Sequence, residues 1–255
     1  MRTDDKPTNL GELTTDEIEA LVEDDAPVVV LVPVGCVEPH GPHLPLDTDT
    51  IISRAAIERA APRLETDGYT VLIAPPVNYG VTECGAAFSG TVSISPHTLT
   101  AFLEDVIGGL LDDGVDHVCL VNNHLEPQHD QAVRASAESF GDTSVSVATP
   151  LKRKWARTLS EEFKKGECHA GKYETSILLA VAPDRVDDEQ RAELSENPVS
   201  LSDKLREGIS DFAEMGLTDA YAGAPAAASA EHGHEMLDRL ADIIVGEVGG
   251  ARNSS

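Results

Sequence analysis

Val28-Val-Val-Leu-Val-Pro-Val34 is continuously apolar and mostly β-branched. A strand with one wet face alternates apolar and polar side chains, so an unbroken run signals a strand covered on both faces, as in a parallel sheet. The residues just beyond it are opposite in character. From Glu38 to Asp49 the chain places Glu38, His40, His43, Asp47 and Asp49 within twelve positions, interspersed with Gly41, Pro42 and Pro45. Imidazole and carboxylate groups are the usual donors to zinc, manganese or iron, and a Gly/Pro-rich backbone holds them without a helix. A solvated acidic loop is the bland alternative; a buried strand that aims the loop at one place argues against it.

Outward from this stretch the apolar strand pattern recurs at Thr70–Ala74 and Val118–Val121, with a fourth strand over Thr143–Ala148. Helical spacing separates them. Thr14-Thr-Asp-Glu17 reads as a capping box opening a short helix to about Val22. Ile51, Ile52, Ala55, Ala56, Ile57 and Ala60 predict a helix that ends at Pro62 and puts Asp49 at or just before its N-terminus, where a negative charge is favourable. Leu99–Leu111 and Gln128–Ser139 predict two more. Leu151–Lys165 reads as one basic, exposed helix carrying the only tryptophan, Trp155, and residues 183–215 as peripheral. Met236, Leu237, Leu240, Ile243 and Ile244 share one face of a closing helix. No repeat or linker divides the chain, so residues 1–255 are expected to form a single domain with 1–10 and 248–255 frayed.

Asp and Glu number 45 against 19 Lys and Arg, a net charge of -26. Such a surface repels nucleic acid and anionic membranes and stays hydrated where salt screens other charges, which suggests a salt-rich cytoplasm. The four cysteines form no CxxC pair, the N-terminus has no signal-peptide pattern, and no apolar run approaches the ~20 residues that span a bilayer, so a reduced cytoplasmic setting is expected.

The end of the third strand carries Asn122-Asn-His-Leu-Glu126, a second ligand cluster. In open parallel sheets ligands bind outside the carboxyl ends of the strands, so the two clusters can face one site. Glu38, His40, Asp49, His124 and Glu126 exceed what one catalytic zinc takes and suit two metals sharing a carboxylate; a pair ~3.5 to 4 Å apart acidifies water and polarises a carbonyl, which points to amide hydrolysis. His169, flanked by small residues, is the candidate general acid or base, and Glu174 orients it or ligates a metal. His97, His117, His129, His232 and His234 read as ordinary. The His-x-Glu spacing is not the HExxH of zinc proteases, and neither GxGxxG nor GxxxxGK[ST] occurs. Cys168 beside His169 is a poor nucleophile pair, since chain neighbours rarely face each other and the chain is acidic. Lys152, Arg153, Lys154 and Arg157 read as an exposed helix face, with an anion-binding patch as the alternative.

Glu38-Pro-His-Gly-Pro-His-Leu-Pro-Leu-Asp-Thr-Asp49 resembles the E-x-H-G-x-H-L-P-x-x-T-D signature of the creatininase family, and Tyr79-Gly, Phe88-Ser-Gly-Thr91, Asn122-Asn-His124, His169-Ala-Gly with Glu174-Thr-Ser, Gly223-Ala-Pro and Ser229-Ala-Glu-His-Gly233 come in family order. The resemblance implies a three-layer α/β/α domain with a mainly parallel sheet, assembled as a homo-oligomer, often a hexamer. It implies two divalent metal ions, zinc, manganese or iron, one held by Glu38, Asp49 and His124 and the other by His40, Asp49 and Glu126, with Glu174 the substitute for Glu126 and His169 the proton shuttle. The implied reaction is hydrolysis of a non-peptide C–N bond in a small-molecule amide. Alternatives are a formamide hydrolase acting on a ribosylaminopyrimidine phosphate in flavin or deazaflavin synthesis, a peptidase maturing a redox-cofactor peptide, and a metal-binding protein without turnover.

Overall fold

The computed structural model describes residues 8–141 and 143–252, with the side chains of 251 and 252 left aside. The run Val28–Val34 is its central strand, and every residue in it is buried. In chain order the strands are β1 (Thr8–Asn9), β2 (Val28–Val34), β3 (Thr70–Ile73), β4 (His117–Asn122) and β5 (Val145–Ala148). All pair in parallel, in the order β1-β3-β2-β4-β5. The helices are α1 (Thr15–Val22), α2 (Thr48–Thr66), α3 (Pro96–Asp112), α4 (Pro127–Glu138), α5 (Arg153–Ala156), α6 (Glu161–Lys165), α7 (Lys172–Val181), α8 (Asp188–Glu193), α9 (Leu201–Arg206), α10 (Phe212–Met215) and α11 (Ala230–Arg252).

The alternation of strand side chains explains the unbroken hydrophobicity of β2. Val29 and Leu31 join a core built with α2, α7 and α11, whereas Val28, Val30, Val32 and Val34 join a second core with α3 and α4 on the opposite face. Each face needs an apolar cover, and together they make an α/β/α sandwich. Burying one such Val or Leu side chain contributes about 1.5–3 kcal/mol. Pro33 is tolerated in the middle of the sheet. Its carbonyl accepts from Val77 N on the side where β3 has already ended, so its missing N–H faces no ladder partner.

Several elements differ from the sequence reading. The helix expected to stop at Pro62 continues to Thr66, since Pro62 removes one donor while the flanking Ala60, Ala61 and Leu64 stay buried against the sheet. The single helix expected over 151–165 is two short ones, because Leu159 is drawn into the core and the Ser160 side chain caps a new start by accepting from Phe163 N. Where frayed ends were expected, Thr8–Asn9 pairs with β3 and α11 runs to Arg252 with Val248 buried; residues 1–7 and 253–255 lie outside the described residues. Among the described residues no helix is long and apolar enough to cross a membrane.

Between β2 and β3 the chain moves to one side of β2, and β4 then falls on the other. The reversal opens a crevice at the carboxyl ends of β2 and β4, the place where open α/β sheets bind ligands.

Candidate active site

Three connections deliver the polar side chains to that crevice. The loop after β2 carries Glu38 and His40, and the first turn of α2 carries Asp49. The end of β4 carries His124, and the start of α7 brings His169 and Glu174. All six are 7% exposed or less. Asp49 sits between two histidines, with Oδ1 3.3 Å from His40 Nε2 and Oδ2 2.9 Å from His124 Nδ1. Glu38 Oε1 lies 3.2 Å from His124 Nδ1, 3.7 Å from His40 Nε2 and 3.8 Å from His169 Nδ1. Glu174 Oε2 is 3.7 Å from His40 Nε2.

Backbone carbonyls fix the ring orientations. His40 Nδ1 bonds Glu38 O at 3.1 Å, His124 Nε2 bonds Val81 O at 2.8 Å, and His169 Nε2 bonds Pro39 O at 3.0 Å. A carbonyl can only accept, so each of these nitrogens carries a proton and the opposite nitrogen faces the carboxylates, where it can hold either a second proton or a cation. His40 Nε2 is fully buried and makes no hydrogen bond. Buried carboxylates gathered around ring nitrogens need positive charge among them, supplied by protons on the rings or by a cation. The donor atoms group as Cys36, Glu38, Asp49 and His124; as Glu38, His40 and His169; and as His40, Asp49 and Glu174, each set lying within 4.8 Å. Ring nitrogens, carboxylate oxygens and a pinned second nitrogen are the donor chemistry and outer support of a divalent-metal site.

The electrostatics carry the same strain. Burial alone would lower His40, but the charges of Asp49, Glu174 and Glu38 outweigh it and raise the ring to about 10. Burial would raise Glu38, yet His124 brings it down to about 2. Glu174 is pushed up to about 8 by burial and by the charge of Asp49, against the pull of His40. Burial and the nearby His40 charge take His169 down to about 4, so its ring is held neutral.

The family model described as creatinine amidohydrolase matches residues 11–248. The chain belongs to the creatininase family. It is 31% identical over 251 residues to the mycofactocin precursor peptide peptidase of Mycolicibacterium smegmatis, covering 93% of this chain and 91% of that one. It is 30% identical over 202 residues to the creatinine amidohydrolase of Pseudomonas putida, covering 71% of this chain and 75% of that one. A crystal structure of creatinine amidohydrolase superposes with a TM-score of 0.77 at 26% identity, covering 96% of this chain and 97% of the other. The α/β fold is thus that of the creatininase family.

In this creatininase-family chain the cluster floors a pocket of about 550 Å³. Leu125, Phe163, Leu201, Leu205 and Phe212 form much of its wall, with Lys164 and Arg206 also on it. The segment 183–215, expected to be peripheral, therefore supplies a side of the site through α9 and Phe212, whose ring centroid lies 4.5 Å from that of His169. Lys152, Arg153, Lys154 and Arg157 are absent from the pocket; Lys152 and Lys154 pair with Glu247 on α11, and Trp155 donates to the same carboxylate.

Glu126 is expected beside His40 and Asp49 with Glu174 as its substitute, and of the two it is Glu174 whose carboxylate lies 3.7 Å from His40 Nε2. Glu126 lines the pocket, but its two oxygens accept from the backbone N–H of Glu83 and Cys84, both at 3.1 Å, and it belongs to none of the donor groups. Three contributors escaped the sequence reading. Thr82 Oγ1 donates to Glu38 Oε2 at 2.6 Å. His129, read as ordinary, accepts from Val81 N and bonds Asn122 Oδ1, so it steadies the carbonyl that orients His124. Cys36 lies 3.1 Å from Asp49. His129 and Cys36 sit near motif residues; Thr82 comes after a Pro/Gly loop and gave no signal.

Proposed function

We propose that this protein is a metal-dependent amidohydrolase that holds two divalent cations, one at Glu38, Asp49 and His124 and one at His40, Asp49 and Glu174, and cleaves an amide C–N bond. The observation that carries this reading is Asp49, which offers one oxygen to each of two ring nitrogens oriented by backbone carbonyls. Bound there, the cations supply acidified water and a polarised scissile carbonyl. The chain's own residues do the rest. The apolar wall of Leu125, Phe163 and Phe212 excludes water and holds the non-reacting part of the substrate. His169 Nδ1, neutral and facing Glu38 Oε1, receives a proton during attack and returns it to the departing nitrogen. Glu174, anchored by Ala170 N, is kept beside His40.

The substrate in this reading is a small-molecule amide. A second reading, peptide hydrolysis, is favoured by the match to a peptide peptidase along 93% of the chain and by a pocket whose wall is largely aliphatic and aromatic. The surface charge of -26 supports a cytoplasmic, salt-tolerant enzyme, and the family resemblance supports a homo-oligomer.

Metal content per chain, measured on protein reconstituted with zinc, manganese or iron, tests the centre. About two ions in the wild type, falling to one or none in Asp49→Ala, are expected; a wild type that holds none after reconstitution overturns the reading. The loaded enzyme is then offered creatinine, formamides and short peptides, with mass spectrometry reporting which C–N bond opens. Turnover of peptides alone would replace the first substrate reading with the second.

A further inference from the structure

Two members of the donor groups are not ligands in the proposed two-metal centre: His169, which has the proton role, and Cys36, which has none. Cys36 lies two residues beyond β2, is fully buried, and its Sγ is 3.1 Å from Asp49 Oδ2. The backbone before it is held hard against the start of α2. A Cβ at Gly35 would meet Thr50 N at 2.7 Å, so only glycine lets the strand end approach closely enough to bring Cys36 to Asp49.

Four donors, one each from Cys36, Glu38, Asp49 and His124, lie within 4.8 Å of one another. Their contacts of 2.9 Å between His124 and Asp49, 3.2 Å between His124 and Glu38, and 3.1 Å between Cys36 and Asp49 can be compared with a tetrahedral zinc site. Bonds of ~2.0 Å to nitrogen and oxygen and ~2.3 Å to sulfur give edges of roughly 3.3–3.6 Å there, so these three contacts lie within a few tenths of an ångström of tetrahedral edges and the other three lie within 4.8 Å. The neighbouring group of His40, Asp49 and Glu174 has three donors and no sulfur, and its His40 Nε2 is buried without a partner.

We propose that Cys36 is a sulfur ligand and that the two metal positions are unequal: Cys36, Glu38, Asp49 and His124 form a four-donor, zinc-selecting position, while His40, Asp49 and Glu174 form a three-donor position without sulfur. The inference rests on the two-cation reading above. Its chemical basis is general: structural zinc sites use four protein ligands, catalytic ones keep a coordination position open, and thiolate discriminates for zinc against manganese. On binding, the metal–sulfur bond forms as the thiol proton leaves to solvent, with no change of oxidation state.

Cobalt(II) substitution tests it on the intact protein. The wild type loaded with cobalt is expected to show a sulfur-to-cobalt charge-transfer band in the near ultraviolet, and the band disappears in Cys36→Ser while about two metals per chain remain. X-ray absorption on the zinc-loaded wild type is expected to show one sulfur at ~2.3 Å, a readout that needs no variant. In competition, Cys36→Ser is expected to lose at least tenfold of the zinc-over-manganese preference at one of the two positions. Two bound cobalt ions without a sulfur band, or without zinc-bound sulfur, would overturn the inference and leave Cys36 a hydrogen-bond donor to Asp49. A protein that binds no cobalt and no zinc fails earlier, at the two-cation reading itself.

Discussion

Thr82 Oγ1 donates to Glu38 Oε2 at 2.6 Å and leaves Oε1 as the oxygen that faces His40, His124 and His169. The hydroxyl thus decides which way a buried carboxylate points. Partners of this kind typically contribute 10–100-fold to metal affinity. Thr82→Val, which keeps the shape and removes the donor, is expected to weaken metal binding by about that range with the fold intact. Titration with a competing chelator, alongside circular dichroism, reads both quantities, and unchanged affinity would show that Glu38 is oriented by its other contacts.

Glu174 and Glu126 have different surroundings, and the proposed centre uses the first. Glu174 Oε2, which also accepts from Ala170 N, lies 3.7 Å from His40 Nε2, whereas Glu126 accepts from the backbone of Glu83 and Cys84 and belongs to none of the donor groups. Glu174→Gln is therefore expected to drop metal content from two toward one per chain. Glu126→Gln is expected to keep both ions and to raise KM, because it loosens Cys84 in the pocket wall. Loss of an ion in Glu126→Gln with none lost in Glu174→Gln would reverse the assignment.

The sheet and the site were legible to different depths. The strands could be read because burial on both faces leaves a continuous apolar run, as in Val28–Val34, and the first ligand loop because five donors in twelve residues have few other uses. The unread part depends on distance in the fold. Glu174 and Glu126 are both carboxylates beside a histidine motif, and only the packing of α7 against α2 and α11 brings one of them to His40. Thr82 and Phe212 belong to irregular segments whose course is set by long-range contacts such as Phe212 N to Cys84 O. Leu159 shows the same limit at the level of helices: its burial breaks a stretch whose composition alone favours one helix.

Ala170 ties the proposed proton shuttle to the proposed ligand through strained backbone. It has φ +49, is fully buried, and its N–H donates to Glu174 Oε2 at 2.6 Å, one residue after His169. A non-glycine residue in the left-handed region costs about 1–3 kcal/mol, and the packing around α7 holds it there. Ala170→Gly relieves that strain but adds freedom to the unfolded chain, so its stability is expected to stay within about 1 kcal/mol of the wild type. Ala170→Val, β-branched and without room, is expected to lose more than about 2 kcal/mol and to shift His169, lowering kcat. Urea unfolding and steady-state kinetics on both variants check this, and a stable, fully active Ala170→Val would remove the coupling.

His117 gives a pH dependence that is independent of the metal centre. At the start of β4 its Nδ1–H donates to Thr143 O at 3.1 Å and its Nε2 lies 2.8 Å from Ser146 Oγ, contacts that the neutral ring satisfies with the serine hydroxyl as donor. Burial lowers its pKa, against a smaller opposing effect of the Thr143 carbonyl. The unfolded chain therefore takes up the proton first as pH falls, and the stability contributed by the neutral ring is fully present above about 6.5 and lost progressively below it. His117→Gln removes this titration along with part of the hydrogen bonding. The variant is expected to be less stable than the wild type at pH 8 and to show a shallower decline in stability between about pH 6.5 and 5. Denaturant midpoints across that range, measured on both proteins at constant high salt, would show parallel declines if His117 titrated alike in the folded and unfolded states.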